Sequence, residues 1–169
     1  MIMYLLRPDY NRTTKTITSG GVSHSVNEVY VLGHLAYETD QNGTTLATFT
    51  YDSSGVPVSV QVGSDPNSSP RYYYVYNGHG DVVALVDASG NIAASYAYDA
   101  FGQLTAFSEN FGGTTTWTNP YRYDGKDGVR YDGETGLYWM SVRAYDPALG
   151  RFLSRDPLGR VRAIWEAKV

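Results

Sequence analysis

Residues 33–55, GHLAYETDQNGTTLATFTYDSSG, and residues 80–102, GDVVALVDASGNIAASYAYDAFG, are two copies of one sequence unit. Seven residues are identical at a constant offset, since 80 − 33, 90 − 43 and 98 − 51 all equal 47. Each copy has a strand-like run on either side of a glycine-containing turn, which is the pattern of a β-hairpin. Because one hairpin is marginally stable in water, the sequence predicts hairpins laid edge to edge in a continuous sheet.

Each copy ends in a tyrosine and an aspartate followed by a glycine. We expect the aspartate to accept hydrogen bonds from the amides of its own turn, and the glycine to adopt the conformation that ends the turn. The residues of this motif are Tyr51, Asp52 and Gly55 in the first copy and Tyr98, Asp99 and Gly102 in the second, and Tyr123 with Asp124 begins a third.

Composition favours an all-β protein and excludes several functional classes. The chain has 169 residues with 14% aromatic and only 18% charged residues, and its 18 Gly and 16 Tyr favour aromatic strands joined by glycine turns. A net charge of −4, with Lys and Arg scattered apart from a C-terminal cluster, argues against a nucleic-acid interface. The absence of Cys excludes a disulfide framework and a zinc–thiolate site. We expect one domain without a signal peptide or a membrane-spanning run.

The C-terminal stretch, residues 131–159, contains two Asp-Pro turns on either side of an arginine-rich connector. Between Gly136 and Tyr145 the residues alternate between two faces, and this pattern predicts one long strand. The turns at Asp146-Pro147 and Asp156-Pro157 are near-copies of each other.

This stretch resembles the RHS-repeat-associated core of bacterial Rhs proteins and of insecticidal toxin-complex subunits. The resemblance is carried by ETGLY at 134–138, RAYDP at 143–147, GRFLS at 150–154 and DPLG at 156–159, and residues 96–105, YAYDAFGQLT, resemble the YD repeat of the same family. The resemblance implies a large hollow shell of hairpin repeats that the core segment closes. Two repeats and a core are too few to enclose a cavity, so we expect a curved, open sheet that forms the end piece of such a shell.

The resemblance also implies the domain organisation and the function. We expect N-terminal strands at 1–28, two YD-type repeats at 29–120, the core at 121–160 and a short tail at 161–169. The expected role is the structural, encapsulating end of a shell that encloses or presents a toxin or partner chain, in a fragment that lacks its own toxin. Expected partners are other YD-repeat segments, a toxin cargo or a second copy that pairs through open sheet edges, in a secreted or cell-surface setting and without a cofactor.

An aspartic autoprotease is the first alternative. Asp146 and Asp156 lie on either side of a chain reversal, so their carboxyls could converge and share a proton. The resemblance implies self-cleavage after Asp-Pro-x-Gly-Leu, which would make these two aspartates the catalytic pair, Arg143 or Arg151 a charge stabiliser and Arg160-Val161 the scissile bond. Arg160 stands where the family has Leu, and a charged residue is costly to bury unpaired. The competing interpretation is that both aspartates cap turns and bind the arginines.

A glycan-binding adhesin is the second alternative, and the histidines are the candidates for a metal site. An aromatic surface formed by Tyr72, Tyr74, Tyr76 and Trp117 could bind glycans, although packing of these rings inside the protein is the favoured interpretation. His24, His34 and His79 lie far apart without ligand spacing, so the sequence predicts no metal site.

Overall fold

The computed structural model describes residues 1–6, 12–112 and 117–156, which form two antiparallel sheets. In the first sheet ten strands follow one another in chain order, and they are β1 (Ile2–Leu6), β2 (Arg12–Ser19), β3 (Val22–Val31), β4 (His34–Thr39), β5 (Thr45–Tyr51), β6 (Pro57–Val62), β7 (Arg71–Tyr76), β8 (Val82–Val86), β9 (Ile92–Tyr98) and β10 (Leu104–Glu109). The second sheet contains β11 (Arg130–Asp132), β12 (Leu137–Met140), β13 (Arg143–Asp146) and β14 (Arg151–Phe152). A single 3₁₀ turn at Gly125–Asp127 is the one helical element of the described residues. The prediction of an open, all-β, antiparallel repeat sheet is confirmed.

The hairpins form because the same turn chemistry recurs along the first sheet. In four turns an aspartate Oδ1 accepts hydrogen bonds of 2.8–3.0 Å from the backbone amides two and four residues later. A glycine with a φ of 83–85° follows three residues after each aspartate, in the left-handed region that a side chain disfavours. These aspartates are Asp40, Asp52, Asp87 and Asp99, and the glycines are Gly43, Gly55, Gly90 and Gly102.

One face of the large sheet carries the core, and residues 117–129 cover it. Strand β7 alternates: Tyr72 and Tyr74 are buried, whereas Tyr73 is 40% exposed. The Tyr121 ring lies edge-on against Phe49 at 5.5 Å and against Tyr74 at 6.1 Å between centroids. The chain beyond the tenth strand therefore supplies the second layer that the sheet needs to bury its apolar face.

The prediction of one long strand from Gly136 to Tyr145 is wrong. The chain reverses at Ser141, whose φ is 57°, and pairs Met140 with Arg143 across a two-residue turn. Alternating residues on both arms of such a hairpin give the same pattern as a single strand, and neither Gly nor Pro marks the turn in the sequence.

The second sheet is attached to both ends of the first. On one side, the Tyr138 hydroxyl donates to the carbonyl of Gly102 at 2.9 Å, and the Tyr145 hydroxyl donates to the carbonyl of Phe101 at 3.0 Å. On the other side, Arg130 donates to the buried carboxylate of Glu28 at 2.6 Å. The C-terminal segment thus spans the face of the sheet from its N-terminal strands to the second repeat.

Candidate functional site: the C-terminal sheet and the adjoining cleft

The turn between β13 and β14 holds the first predicted catalytic aspartate. Asp146 Oδ1 accepts hydrogen bonds from the backbone amides of Ala148 at 2.9 Å and Leu149 at 3.2 Å. The backbone of Asp146 pairs with Arg151, whose side chain is exposed. The carboxylate of Asp146 therefore caps its own turn, as the alternative interpretation of this residue expects.

The second predicted aspartate has a different partner. Arg143 Nη1 lies 3.4 Å from Asp156 Oδ2, and the Arg143 guanidinium lies 3.7 Å above the ring of Phe152. The side chain of Asp156 is half exposed. The structure thus brings Asp156 to Arg143 and Asp146 to the turn amides, and the catalytic pair stays a prediction. The predicted scissile bond, Arg160-Val161, lies outside the described residues.

A cleft of about 830 Å³ lies beside these residues, between the N-terminal half of the large sheet and the second sheet. Arg143 and Asp156 line it, whereas Asp146 does not. Its wall combines aromatic rings with charges of both signs, from Tyr30, His34, Tyr51, Tyr121, Asp124, Asp127, Arg130 and Trp139. Such a mixed wall can hold polar and aromatic groups together.

A buried ionic cluster adjoins the cleft through Tyr30 and Arg130, which line its wall. Glu28 accepts hydrogen bonds from Arg12, from Arg130 and from the Tyr30 hydroxyl, each at 2.6 Å. Burial alone would raise the pKa of Glu28, but the charges of Arg130 and Arg12 outweigh it and hold the pKa below its usual value. The cluster joins β2 and β3 to β11, and we assign it a structural role because both arginines are paired with the Glu28 carboxylate.

The residues predicted for glycan binding are directed into the protein. Tyr72, Tyr74 and Trp117 are at most 9% exposed. The Tyr74 hydroxyl donates to Asn119 at 3.0 Å, and the half-buried Tyr76 donates to the carbonyl of Pro57 at 2.6 Å. The hydroxyls of Tyr74 and Tyr76 thus have partners in the protein, and this placement favours the packing interpretation.

Trp117 also contacts a buried acid that the sequence analysis did not select. Its indole Nε1 donates to Glu38 Oε2 at 2.6 Å. Burial, with a further contribution from the charge of Glu28, raises the pKa of Glu38 to about 7. The sequence does contain a sign of this buried acid. Glu38 occupies the strand position at which the second repeat has the apolar Leu85.

A second group that the sequence analysis missed lies where the second repeat meets the C-terminal segment. His79 Nδ1 is 3.0 Å from Asp81 Oδ1, and the backbone amide of Asp124 donates to the same Asp81 oxygen at 2.9 Å. Spacing could not reveal this cluster, because Asp124 follows Asp81 by 43 residues.

Comparison with known proteins agrees with this architecture. The RHS Repeat family matches residues 76–115, which contain the second hairpin repeat. The chain is an RHS-repeat protein. Within the described residues, no helix has both the length and the apolar character needed to cross a membrane.

Two relatives of this RHS-repeat chain are much longer proteins. It is 40% identical over 147 residues to the tRNA3(Ser)-specific nuclease WapA of Bacillus spizizenii and 38% identical over the same length to the tRNA nuclease WapA of Bacillus subtilis. Each match covers 87% of this chain and 6% of the relative. The chain therefore corresponds to a small part of these proteins.

The fold of the RHS-repeat chain also occurs in solved toxin structures. A Photorhabdus luminescens Tc holotoxin pore carrying a TccC3 mutation matches with a TM-score of 0.69 and 20% identity, over 94% of this chain and 8% of that chain. A TcdB2-TccC3 structure matches with a TM-score of 0.66 and 20% identity, over 92% of this chain and 8% of that chain. At this level of identity the likeness shows a shared fold.

Proposed function

We propose that this chain is the structural end of an RHS-type β-shell that encloses or presents a toxin or partner chain, and that it catalyses no reaction. The observation that carries the proposal is the ten-stranded sheet of consecutive hairpins, with β1 and β10 at its two edges. The same fold in Tc toxin structures, and the chain's match to a small part of two proteins named as nucleases, support it. The nuclease names describe those whole proteins, and we assign this segment the scaffold role.

The edges of the sheet support a partner that continues it. A terminal strand presents backbone N–H and C=O groups that can pair with another strand. The edge strands also expose apolar side chains: Met3 and Leu5 on β1 are 58% and 64% exposed, and Phe107 on β10 is 60% exposed. We infer that further YD-repeat strands, from the same shell or from a second copy, cover these edges, and that the assembly acts outside the cell or at its surface.

A chimeric protein tests the scaffold role. The segment of Bacillus subtilis WapA that matches this chain is replaced by the matching residues of this chain, and a deletion of the same segment is the control. We expect the chimera to resist limited proteolysis as the parent WapA does and to keep tRNA cleavage, because a hairpin scaffold is exchangeable between relatives of the same fold. A chimera as protease-sensitive as the deletion would overturn the proposal.

Two measurements on the isolated chain separate the scaffold from an enzyme. Incubation with tRNA should give no cleavage beyond the buffer control. The intact mass should stay that of the full chain at neutral and mildly acidic pH, for the wild type and for Asp146→Asn and Asp156→Asn. Release of residues 161–169 from the wild type alone would establish a working aspartate pair and would show that the chain is more than a scaffold.

A further inference from the structure

Three potential ligands converge where the second repeat meets the C-terminal segment. The ligand atoms of His79, Asp81 and Asp124 all lie within 4.8 Å of one another. Two atoms that bind one metal ion at about 2.1 Å are separated by about 3 Å when they are adjacent in its coordination sphere. The 3.0 Å between His79 Nδ1 and Asp81 Oδ1 meets this requirement.

The backbone holds these ligands in place before any ion arrives. Asn77 Oδ1 accepts hydrogen bonds of 3.0 Å from the amides of His79, Gly80 and Asp81, so one side chain shapes the whole turn. Asn77 Nδ2 also donates to Asp81 Oδ2 at 2.8 Å. The backbone of Asp124 has a φ of 55° and is held by the hydrogen bond that its N–H donates to Asp81 Oδ1. Ligands that are fixed in this way lose little freedom on binding.

The electrostatic environment favours a cation. Asp81 is 6% exposed, and the carboxylates of Asp124 and Asp127 lie nearby. Burial, followed by the charges of Asp127 and Asp81, raises the pKa of Asp124. Among the described residues no hydrogen-bond donor contacts the carboxylate of Asp124, which leaves its oxygens available for a ligand. A divalent ion would offset this accumulated negative charge.

We propose that His79, Asp81 and Asp124 bind a divalent transition-metal ion, Zn²⁺ or Mn²⁺, which fastens the second repeat to the C-terminal segment. One imidazole nitrogen with two carboxylate oxygens suits these ions, and Ca²⁺ prefers a full set of oxygens. Water would complete the coordination, since the side chain of His79 is 59% exposed. The ion would clamp two elements that are far apart in sequence.

The first repeat provides an internal comparison for this site. Positions 47 residues earlier hold Tyr30, Leu32 and His34 in place of Asn77, His79 and Asp81. The first repeat therefore lacks the side-chain amide that caps the turn, and it lacks the ligand pair His79 and Asp81. The proposal predicts a single site per chain, in the second repeat.

Titration calorimetry on the full chain, freed of metal by a chelator, tests the proposal with ZnCl₂ and MnCl₂ as probes. We expect one ion per chain and a higher melting temperature on addition of metal. His79→Ala and Asp124→Asn should each weaken binding by at least about 10- to 100-fold, the loss that removal of an outer-shell partner alone causes. Asn accepts the left-handed backbone of position 124, so the second variant keeps the turn.

Two matched variants show whether the effect belongs to these ligands. Asp127→Asn removes a neighbouring carboxylate outside the cluster, and His34→Ala removes the imidazole at the first-repeat position equivalent to Asp81. His34→Ala should bind the metal within about threefold of the wild type, and Asp127→Asn should lose less affinity than either ligand variant, because neither residue supplies a ligand. Circular dichroism verifies that each variant is folded. Absence of binding by the wild type, or equal binding by wild type, His79→Ala and Asp124→Asn, would overturn the site and leave a simple His–Asp hydrogen bond.

Discussion

In the first repeat the Tyr51 hydroxyl donates to the carbonyl of Leu35 at 2.7 Å, and in the second the Tyr98 hydroxyl donates to the carbonyl of Val82 at 2.8 Å. Donors and acceptors are each offset by 47 residues, since 98 − 51 and 82 − 35 both equal 47. The turns after both tyrosines are also the same, with an aspartate that caps two amides and a glycine with a φ of 85°. Identical residues thus build identical local structure.

The contacts that each repeat makes with the rest of the chain differ. At Gly55 the neighbouring ring is His34 of the same repeat, and at Gly102 it is Tyr123 of the C-terminal segment. The Tyr138 hydroxyl binds the carbonyl of Gly102. The second repeat is therefore the one on which the C-terminal sheet rests, and the two copies have become distinct through their tertiary partners.

The largest expected effect comes from adding a methyl group at Gly102, the glycine that ends the turn of the second repeat. A Cβ at Gly102 would lie 2.6 Å from the ring of Tyr123, which is packed against Tyr98 and Tyr138. We expect Gly102→Ala to lower the free energy of unfolding by about 2–5 kcal/mol, from left-handed backbone strain together with overpacking. Chemical denaturation measures the change.

Gly55→Ala and Gly90→Ala are the matched controls for this variant. The Cβ at Gly55 would meet His34, whose exposed ring can move, and nothing lies within 4 Å of a Cβ at Gly90. Both should cost only about 1–2 kcal/mol of backbone strain. Equal losses at positions 55 and 102 would show that Tyr123 does not distinguish the repeats.

The second prediction concerns Glu38, a buried acid that the first repeat has and the second repeat lacks. Glu38 has a pKa of about 7 in the folded protein, against 4.5 when unfolded, and its counterpart is the apolar Leu85. The folded state therefore holds a proton that the unfolded state has released, and stability declines as pH rises from 4.5 through about 7. The free energy of unfolding falls by about 3 kcal/mol over this range. Above the folded pKa, Glu38 causes no further loss.

Glu38→Gln keeps an oxygen acceptor for Trp117 and removes the titration. We expect denaturation midpoints of this variant to depend less on pH than those of the wild type between about pH 5 and about pH 8. Glu134→Gln, which changes a carboxylate with 33% of its side chain exposed, should retain the dependence of the wild type. If Glu38→Gln and the wild type show the same slope, the proton is not on Glu38.

The smallest effect is expected at the turn that opens the first repeat. Leu32 has a φ of 51° and is 95% exposed, and Gly33 follows it. Asn tolerates this backbone better than Leu, and Asn-Gly is a favoured two-residue hairpin turn. Leu32→Asn should raise the melting temperature, through a gain of about 0.5–1 kcal/mol. Leu153→Asn is the matched control, because Leu153 is also exposed but has no positive φ. It should change stability by less than about 0.5 kcal/mol. An equal gain at both positions would show that the loss of an exposed leucine, and not the backbone conformation of position 32, causes the effect.

The all-β class and the turns after Asp52 and Asp99 could be predicted, because each depends on residues a few positions apart. The reversal at Ser141 could not, because alternation along the chain is the same for one strand and for two. The burial of Tyr72 and Tyr74 follows the alternation of a strand, but the covering of that face by residues 117–129 depends on a distant segment.

The sequence by itself determined the repeat unit, its strands and its turns, since an aspartate and a glycine at fixed spacing satisfy the backbone wherever they occur. Only the tertiary structure decided which repeat supports the C-terminal sheet, which acid is buried, and that His79 and Asp81 meet Asp124. The physical reason is that these contacts join residues tens of positions apart, and their energies arise from burial and charge, which exist only once the layers have packed.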